Sequence, residues 1–178
     1  MLKHALKKMF LVIAMSVFTV SLHAADWTMA SGYPKSNFHT QNVMKFIDEV
    51  KANTSVNINL NPNDTLIKLD AIKTSLQRGQ IPIGEIRFGI YGNEDPMYIL
   101  AGLPFIAPDY ASAWLLKEVK HEYLQNLFNK KGLKILYTSP WPGQGFYTKT
   151  PVNGVSDFKG KKLRIYSTAT QQMGSMLG

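Results

Sequence analysis

The chain of 178 residues contains no cysteine. That absence removes disulfides, a cysteine nucleophile, thiolate zinc sites, iron–sulfur ligation and a lipid-carrying N-terminal cysteine. Histidine is almost as scarce: of four, His4 and His23 lie in the first 24 residues, leaving His39 and His121. A histidine-rich metal centre or a histidine-based triad has little to draw on, so each of the two is expected to be a satisfied or exposed side chain. No apolar run reaches the roughly 20 residues that a membrane-spanning helix needs. Glycine, at 13 residues, shows no triplet period, which excludes a collagen-like repeat. What remains is 45% hydrophobic, 11% aromatic and 18% charged, a balance that can bury a core and is not that of a disordered chain. The length allows one large domain or a domain and a fraction.

Lys3, Lys7 and Lys8 precede an apolar run from Met9 to Leu22, which is followed by the small residues Ala24 and Ala25. This reads as a secretory signal peptide cut after Ala24 or Ala25, so the mature chain is expected in the periplasm and not embedded in the membrane. Its removal takes three of 20 basic residues and none of 12 acidic ones, leaving 17 against 12 and a net charge of +5. The small basic clusters, Lys130 with Lys131 and Lys159 with Lys161 and Lys162, have no arginine–aromatic ladder beside them. They read as solvated faces, without a nucleic-acid partner, although the surplus can attract anionic solutes.

From Asp26 onward extended and helical patterns alternate, the signature of an α/β sheet. A strand over Trp27 to Ser31 leads through Gly32-Tyr33-Pro34 into a helix from Ser36 or Asn37 with Val43, Phe46, Ile47 and Val50 inward. A second strand spans Val56 to Leu60. Asp64 is placed to cap a helix buried through Leu66, Leu69, Ile72 and Leu76 and stopped by Gly79. Ile81 to Ile90 is the third extended segment. A long helix follows from Tyr110 to Lys131, capped by Asp109 and stopped by Gly132, with Leu116, Val119, Tyr123 and Leu127 inward. Leu133 to Ser139, Phe146 to Lys149 and Lys162 to Tyr166 read as further strands, the latter two crossing into a second lobe. A last helix starts near Thr170, and with no stop signal or partner strand after it the second lobe is expected to be incomplete.

Enzyme signatures are sought and mostly fail. His121-Glu122 opens a metalloprotease-like helix motif, but Gln125 stands where the second histidine belongs. Gly143-Gln144-Gly145 lacks the third glycine and the strand-to-helix setting of a dinucleotide site, and reads as a turn. Glu94 and Asp95 are adjacent carboxylates before Pro96, where negative charge suits a helix start. A secreted hydrolase using Glu94 or Asp95 with His121 is kept as an alternative, as is a fragment without a ligand.

The positive signal is Arg164 in Leu163-Arg164-Ile165-Tyr166, ahead of Ser167-Thr168-Ala169-Thr170. A guanidinium beside the free amides of a helix start can bind a carboxylate through two parallel hydrogen bonds. A salt-bridged surface arginine is the other reading, and burial without a protein carboxylate partner distinguishes them. Arg87 in Ile86-Arg87-Phe88 is a second such case. Tyr33, Trp141, Phe146 and Tyr147 flank strand ends, where open α/β sheets take ligands.

Residues 79–113 (GQIPIGEIRFGIYGNEDPMYILAGLPFIAPDYASA) and 151–170 (PVNGVSDFKGKKLRIYSTAT) resemble the solute-binding proteins of tripartite ATP-independent periplasmic (TRAP) transporters, through Leu103-Pro104-Phe105 and, more specifically, Asp157-Phe158-Lys159-Gly160 leading to Leu163-Arg164. The resemblance implies a non-enzymatic protein with a periplasmic-binding-protein-like architecture of two α/β lobes, closing on a small organic acid and delivering it to a membrane permease, with no cofactor. It assigns residues 25–140 to the first lobe and 141–178 to the crossover and the start of the second. It implies that Arg164 pairs with the ligand carboxylate and that Ser31, Tyr33, Arg87 and Tyr91 line the opposite wall; Trp141 and Phe146, from their place at the crossover, and Ser167, at the helix start after Arg164, complete the candidate ligand-binding residues. Some members carry a further arginine in the crossover strand, which Gly143-Gln144-Gly145-Phe146-Tyr147 lacks, so the ligand class stays open. Because the likeness covers only the N-terminal half of the family pattern, ligand affinity is expected to be impaired.

Overall fold

The structure, a computed structural model, describes residues 25–178; the expected signal peptide lies outside the described residues. Three parallel strands form one sheet: β1 Asp26–Ala30, β2 Asn57–Asn61 and β3 Ile83–Gly84, in the order β2-β1-β3. Helix α1 Phe38–Asn53 joins β1 to β2, and α2 Ile72–Gln77 lies between β2 and β3. A series of 3-10 turns follows, at Phe88–Tyr91, Pro96–Tyr98 and Leu100–Gly102; then come α3 Tyr110–Asn129 and α4 Thr168–Leu177.

Adjacent residues of a strand point to opposite faces, and β1 shows the consequence. Met29 joins Val43, Ile58 and Ile83 in a core covered by α1, through Phe46, Ile47 and Val50. Its neighbour Ala30 joins Ile72 and Ile81 on the α2 side, with Leu69 and Leu76 packed against them. Both faces of a parallel sheet are thus buried, as that arrangement requires. A third cluster, Tyr91, Tyr98, Leu124 and Phe128, fastens the 3-10 turns to α3 and takes in Leu133 and Ile135.

Caps and stops fall where the sequence places them. Asn37 accepts the His39 N–H at the start of α1, and Asp109 accepts the Ser112 N–H at the start of α3. Gly79 and Gly132 end their helices at φ of 68° and 71°, a region that favours glycine.

Other expectations are corrected. Asp64 stands at φ 56° and accepts the Leu69 N–H, so it closes a turn, and α2 begins only at Ile72. The third extended segment pairs over Ile83–Gly84 alone before giving way to 3-10 turns. The buried stripe of α3 is Lys120, Leu124 and Phe128, with Val119 74% and Tyr123 49% exposed. The cause is lateral: the Tyr123 hydroxyl reaches out to Asp95, while Phe128 packs on Phe88 and Tyr98. Ser167 caps α4, so that helix starts at Thr168, ahead of the expected Thr170. Residues 133–139, 146–149 and 162–166 form no strand, for none has a pairing neighbour among the described residues. No helix among the described residues is long and apolar enough to cross a membrane.

Candidate functional site

The chain leaves β1 for β2 on one side and returns past β1 to place β3 on the other, so the connections diverge between β1 and β3. In an open parallel sheet the crevice beyond the carboxyl ends at such a divergence is where ligands bind. Here those ends release Ser31 to Tyr33 and Glu85 to Arg87.

Each loop is anchored by the sheet. Ser31 N–H donates to the Asn61 carbonyl at 3.0 Å and Glu85 N–H to the Ala30 carbonyl at 2.9 Å. Ser31 is fully buried, and its hydroxyl donates to Glu85 Oε2 at 2.5 Å. Gly32 allows the loop to lie against α2's approach: a Cβ there would stand 2.6 Å from Leu69 Cβ. The Thr40 hydroxyl donates to the Tyr33 carbonyl at 3.2 Å, fixing Tyr33 to α1.

Arg87 crosses to the C-terminal part of the chain. Its Nη2 donates to the Tyr166 carbonyl at 2.9 Å, and the guanidinium carbon lies 5.5 Å from the centre of the Tyr166 ring. Its Nε and the Tyr33 hydroxyl are both buried, and neither makes a well-formed hydrogen bond among the described residues. Burial pushes the Tyr33 hydroxyl above its usual pKa; the Arg87 charge and a close side-chain approach of Arg87 to the hydroxyl oppose this, and Glu85 and Asp64 add to it. Burial likewise pushes the Glu85 carboxyl up, against the Ser31 hydrogen bond, and raises Tyr137, with the Glu85 charge adding. Tyr33, Glu85, Arg87 and Tyr137 therefore form one electrostatic neighbourhood. An open depression of about 350 Å³, lined by Asp64, Lys68, Leu69, Asp70, Arg87 and Ile90, borders it.

Trp141 comes to the same place. Its ring meets Tyr33 edge-on at 5.3 Å, Phe38 at 5.3 Å and His39 at 4.3 Å. At the start of α4, Ser167 accepts the Thr170 N–H, and the N–H groups of Tyr166 and Ser167 both donate to the Thr170 hydroxyl. Gly92 makes room for this helix start, since a Cβ there would lie 2.9 Å from the Thr168 hydroxyl.

Of the residues expected to bind ligand, Ser31, Tyr33, Arg87 and Trp141 are brought together. Tyr91 is buried in the third core cluster, its hydroxyl donating to the Asp70 carbonyl at 3.4 Å and its pKa pushed up to about 12 by burial. Phe146 pairs with Phe158 at 4.6 Å, and the Ser167 hydroxyl is engaged in the helix cap. Arg164 is exposed, with no carboxylate within 4.0 Å among the described residues. The burial that would set a carboxylate-binding Arg164 apart from a surface arginine is therefore not found: residues 162–165, lacking a strand partner, are exposed. Sequence reasoning missed Glu85 and Tyr137. The signal for Glu85 was a charge in the apolar run Ile83-Gly84-Glu85-Ile86-Arg87, the same feature that singled out Arg87.

The carboxylates of the hydrolase alternative are engaged elsewhere. Glu94 is held by Lys73 and by Lys131, the latter at 2.6 Å. Asp95 caps a 3-10 turn and accepts the Tyr123 hydroxyl at 2.8 Å, and His121 is exposed.

The family described as bacterial extracellular solute-binding protein, family 7 (DctP), matches residues 29–178. DctP7 of Bordetella pertussis, an extracytoplasmic solute receptor binding pyroglutamic acid, is 38% identical and superposes with a TM-score of 0.83 over 87% of this chain and 52% of its own. A marine metagenome TRAP solute-binding protein specific for pyroglutamate is 35% identical, with a TM-score of 0.82 over 88% of this chain and 52% of its own. A TRAP solute-binding protein from Xanthobacter autotrophicus Py2 with bound β-D-galacturonate, 23% identical with a TM-score of 0.73, covers 85% of this chain and 52% of its own and shares the fold. The chain thus spans about half the length of these structures, and no curated protein matches it. These matches are to binding receptors and not to enzymes, which sets the hydrolase alternative aside. With the match covering nearly all described residues and the fold shared with those receptors, the chain belongs to family 7 of the bacterial extracellular solute-binding proteins, the TRAP solute receptors.

Proposed function

We propose that this chain receives a small organic acid in the periplasm for a TRAP-type secondary transporter and presents it to the membrane permease. The observation that carries this reading is the pair of buried, unpartnered polar groups at the switch-point crevice, the Tyr33 hydroxyl and Arg87 Nε. An unpaired buried donor costs about 1–3 kcal/mol, and a ligand that pairs these groups accounts for their retention.

In this reading residues 25–140 form the first lobe and 141–178 the crossover and the beginning of a second. Ser31, Tyr33, Arg87 and Trp141 line one wall. Arg164, two residues before the Tyr166 carbonyl that Arg87 holds, meets the ligand carboxylate from the other side, each charged hydrogen bond contributing about 1.5–3 kcal/mol. The pyroglutamate of the two more similar receptors makes that lactam acid the first to test. With Trp141 40% exposed and Arg164 at the surface, the described residues enclose the crevice only in part. Binding by this chain is accordingly weaker in this reading than that of a fully enclosed site.

Thermal shift against mono- and dicarboxylates, carried to ligand concentrations well above millimolar, tests this. The melting temperature should rise with acid concentration in the wild type and in Lys162→Ala, and stay flat in Arg164→Ala. No rise with any acid would leave a fragment without a ligand as the better reading.

A further inference from the structure

The charges around the crevice do not suit every organic acid. Arg87, Lys68, Asp64 and Asp70 all line the depression, and Glu85, which follows β3, lies within the electrostatic reach of Tyr33. On this side of the crevice two cations stand against three carboxylates, with no surplus of positive charge. Glu85 itself is unusual. It follows β3 in an apolar run and is two-sided: Oε2 accepts the hydroxyl of fully buried Ser31, while Oε1 has no hydrogen-bond partner among the described residues. Glu85 and Arg87 are not joined to each other by a salt bridge within 4.0 Å. Arg87 thus keeps an unpaired guanidinium N–H and Glu85, two residues earlier and directly after β3, a carboxylate oxygen that no group among the described residues occupies.

Resting on the carboxylate-binding reading above, we propose that Glu85 is a specificity-determining residue: it selects acids that carry one carboxylate together with an N–H donor, which Glu85 Oε1 receives while the arginine side of the crevice takes the carboxylate. An acceptor-only carboxylate rewards an N–H and repels a ring oxygen or a second carboxylate at the same spot. A site built to receive a donor discriminates strongly against the analogue that lacks it, because the protein group is then left unpaired. Ser31 fixes the orientation of the carboxylate by occupying its other oxygen, and the Tyr33 hydroxyl remains for the ligand's acceptor side.

The test is isothermal titration of the full chain with three probes: pyroglutamate, the lactone acid in which a ring oxygen replaces its N–H, and glutarate. The proposal expects pyroglutamate to bind at least about tenfold more tightly than the lactone acid and glutarate. In Glu85→Met that preference should collapse, with lactone affinity kept or improved. Should Glu85→Met fail to fold, Glu85→Gln, which keeps the shape and an acceptor for Ser31, should lower the preference several-fold. Equal binding of pyroglutamate and the lactone acid by the wild type, or a preference unchanged in both variants, overturns the proposal and leaves carboxylate binding standing. Absence of binding by all three probes overturns the carboxylate reading and this proposal with it.

Discussion

Lys73 and Arg87 are both cations set beside tyrosine rings and drawn away from bulk water, yet the chain treats them differently. Lys73, 1% exposed, meets Glu94, which also takes Lys131; its Nζ lies 4.2 Å from the centre of the Tyr91 ring and 5.2 Å from that of Tyr98. Among the described residues, the Tyr98 hydroxyl is the one buried polar atom of that cluster left without a partner. Arg87 meets a backbone carbonyl and a ring, no carboxylate within 4.0 Å, and keeps a buried N–H unpaired beside the equally unpaired Tyr33 hydroxyl. A buried charge closed by its own chain holds the α2 side to the 3-10 turns and α3. A buried charge left partly open is a place for something from outside. The difference separates architecture from recognition without any appeal to the residue types alone, since both clusters contain a cation, a glutamate and tyrosines.

The largest effect should come from opening the closed cluster. Glu94→Gln strips Lys73 of its partner and is expected to cost about 3 kcal/mol of folding stability, because the penalty is that of an uncompensated buried charge. Lys73→Met removes the charge with its need for a partner and should cost much less; urea unfolding of the two variants reads the asymmetry directly. If both cost the same, the cluster is not the closed ion pair described.

Next in size is the loss from the open cluster. Arg87→Ala should weaken acid binding by about 1.5–3 kcal/mol, the value of a charged hydrogen bond, while folding stability falls by no more than about 1 kcal/mol for the contact to Tyr166. Titration calorimetry and urea unfolding on the same samples separate these.

The pH dependence should run in opposite directions in the two regions. Burial raises Glu94, but hydrogen bonds from Lys131 and Lys73 outweigh it and hold the carboxyl below its ordinary 4.5. Its contribution is present above 4.5 and is lost as pH falls. Glu85 lies above 4.5 through burial. Its contribution is present below that value and is lost as pH rises through the elevated pKa. Urea midpoints followed from acid to neutral pH should therefore lose their acid-side fall in Glu94→Gln and their fall toward neutrality in Glu85→Gln.

The smallest effect has the most telling sign. Tyr33→Phe deletes a hydroxyl that has no partner, so stability should stay level or rise by up to about 1 kcal/mol, while acid binding weakens by about 1 kcal/mol. A loss of stability with unchanged binding would mean the hydroxyl is spent within the fold.

Much of this was legible in the residues. Period-2 and period-3.6 patterns placed β1, β2, α1 and α3, Asn37 and Asp109 marked the starts of α1 and α3, and Gly79 and Gly132 the stops of α2 and α3. Those features are local, so local sequence carries them. The failures are tertiary. Val119 and Tyr123 fit an inward stripe as well as Lys120 and Leu124 do, and only the position of Asp95 and Tyr98 decides which face of α3 turns in. Residues 133–139 and 162–166 carry a strand pattern, but a strand exists only with its neighbour, and pattern cannot supply one. The candidate site was half visible: Ser31, Tyr33, Arg87 and Trp141 were found by their place at strand ends and turns. Glu85 has its partner, Ser31, 54 residues away in sequence, which no local pattern shows, and Arg164, left open between a surface and a carboxylate-binding arginine, is exposed because its apolar run forms no strand.

The most direct test of the contrast between the two clusters is one titration series at a temperature where all proteins are folded: pyroglutamate into the wild type, Arg87→Ala and Glu94→Gln. The account predicts that Glu94→Gln, although the least stable, binds as the wild type does, while Arg87→Ala binds at least about tenfold more weakly, which is 1.4 kcal/mol or more. Affinity that follows stability, falling in Glu94→Gln and holding in Arg87→Ala, would contradict it.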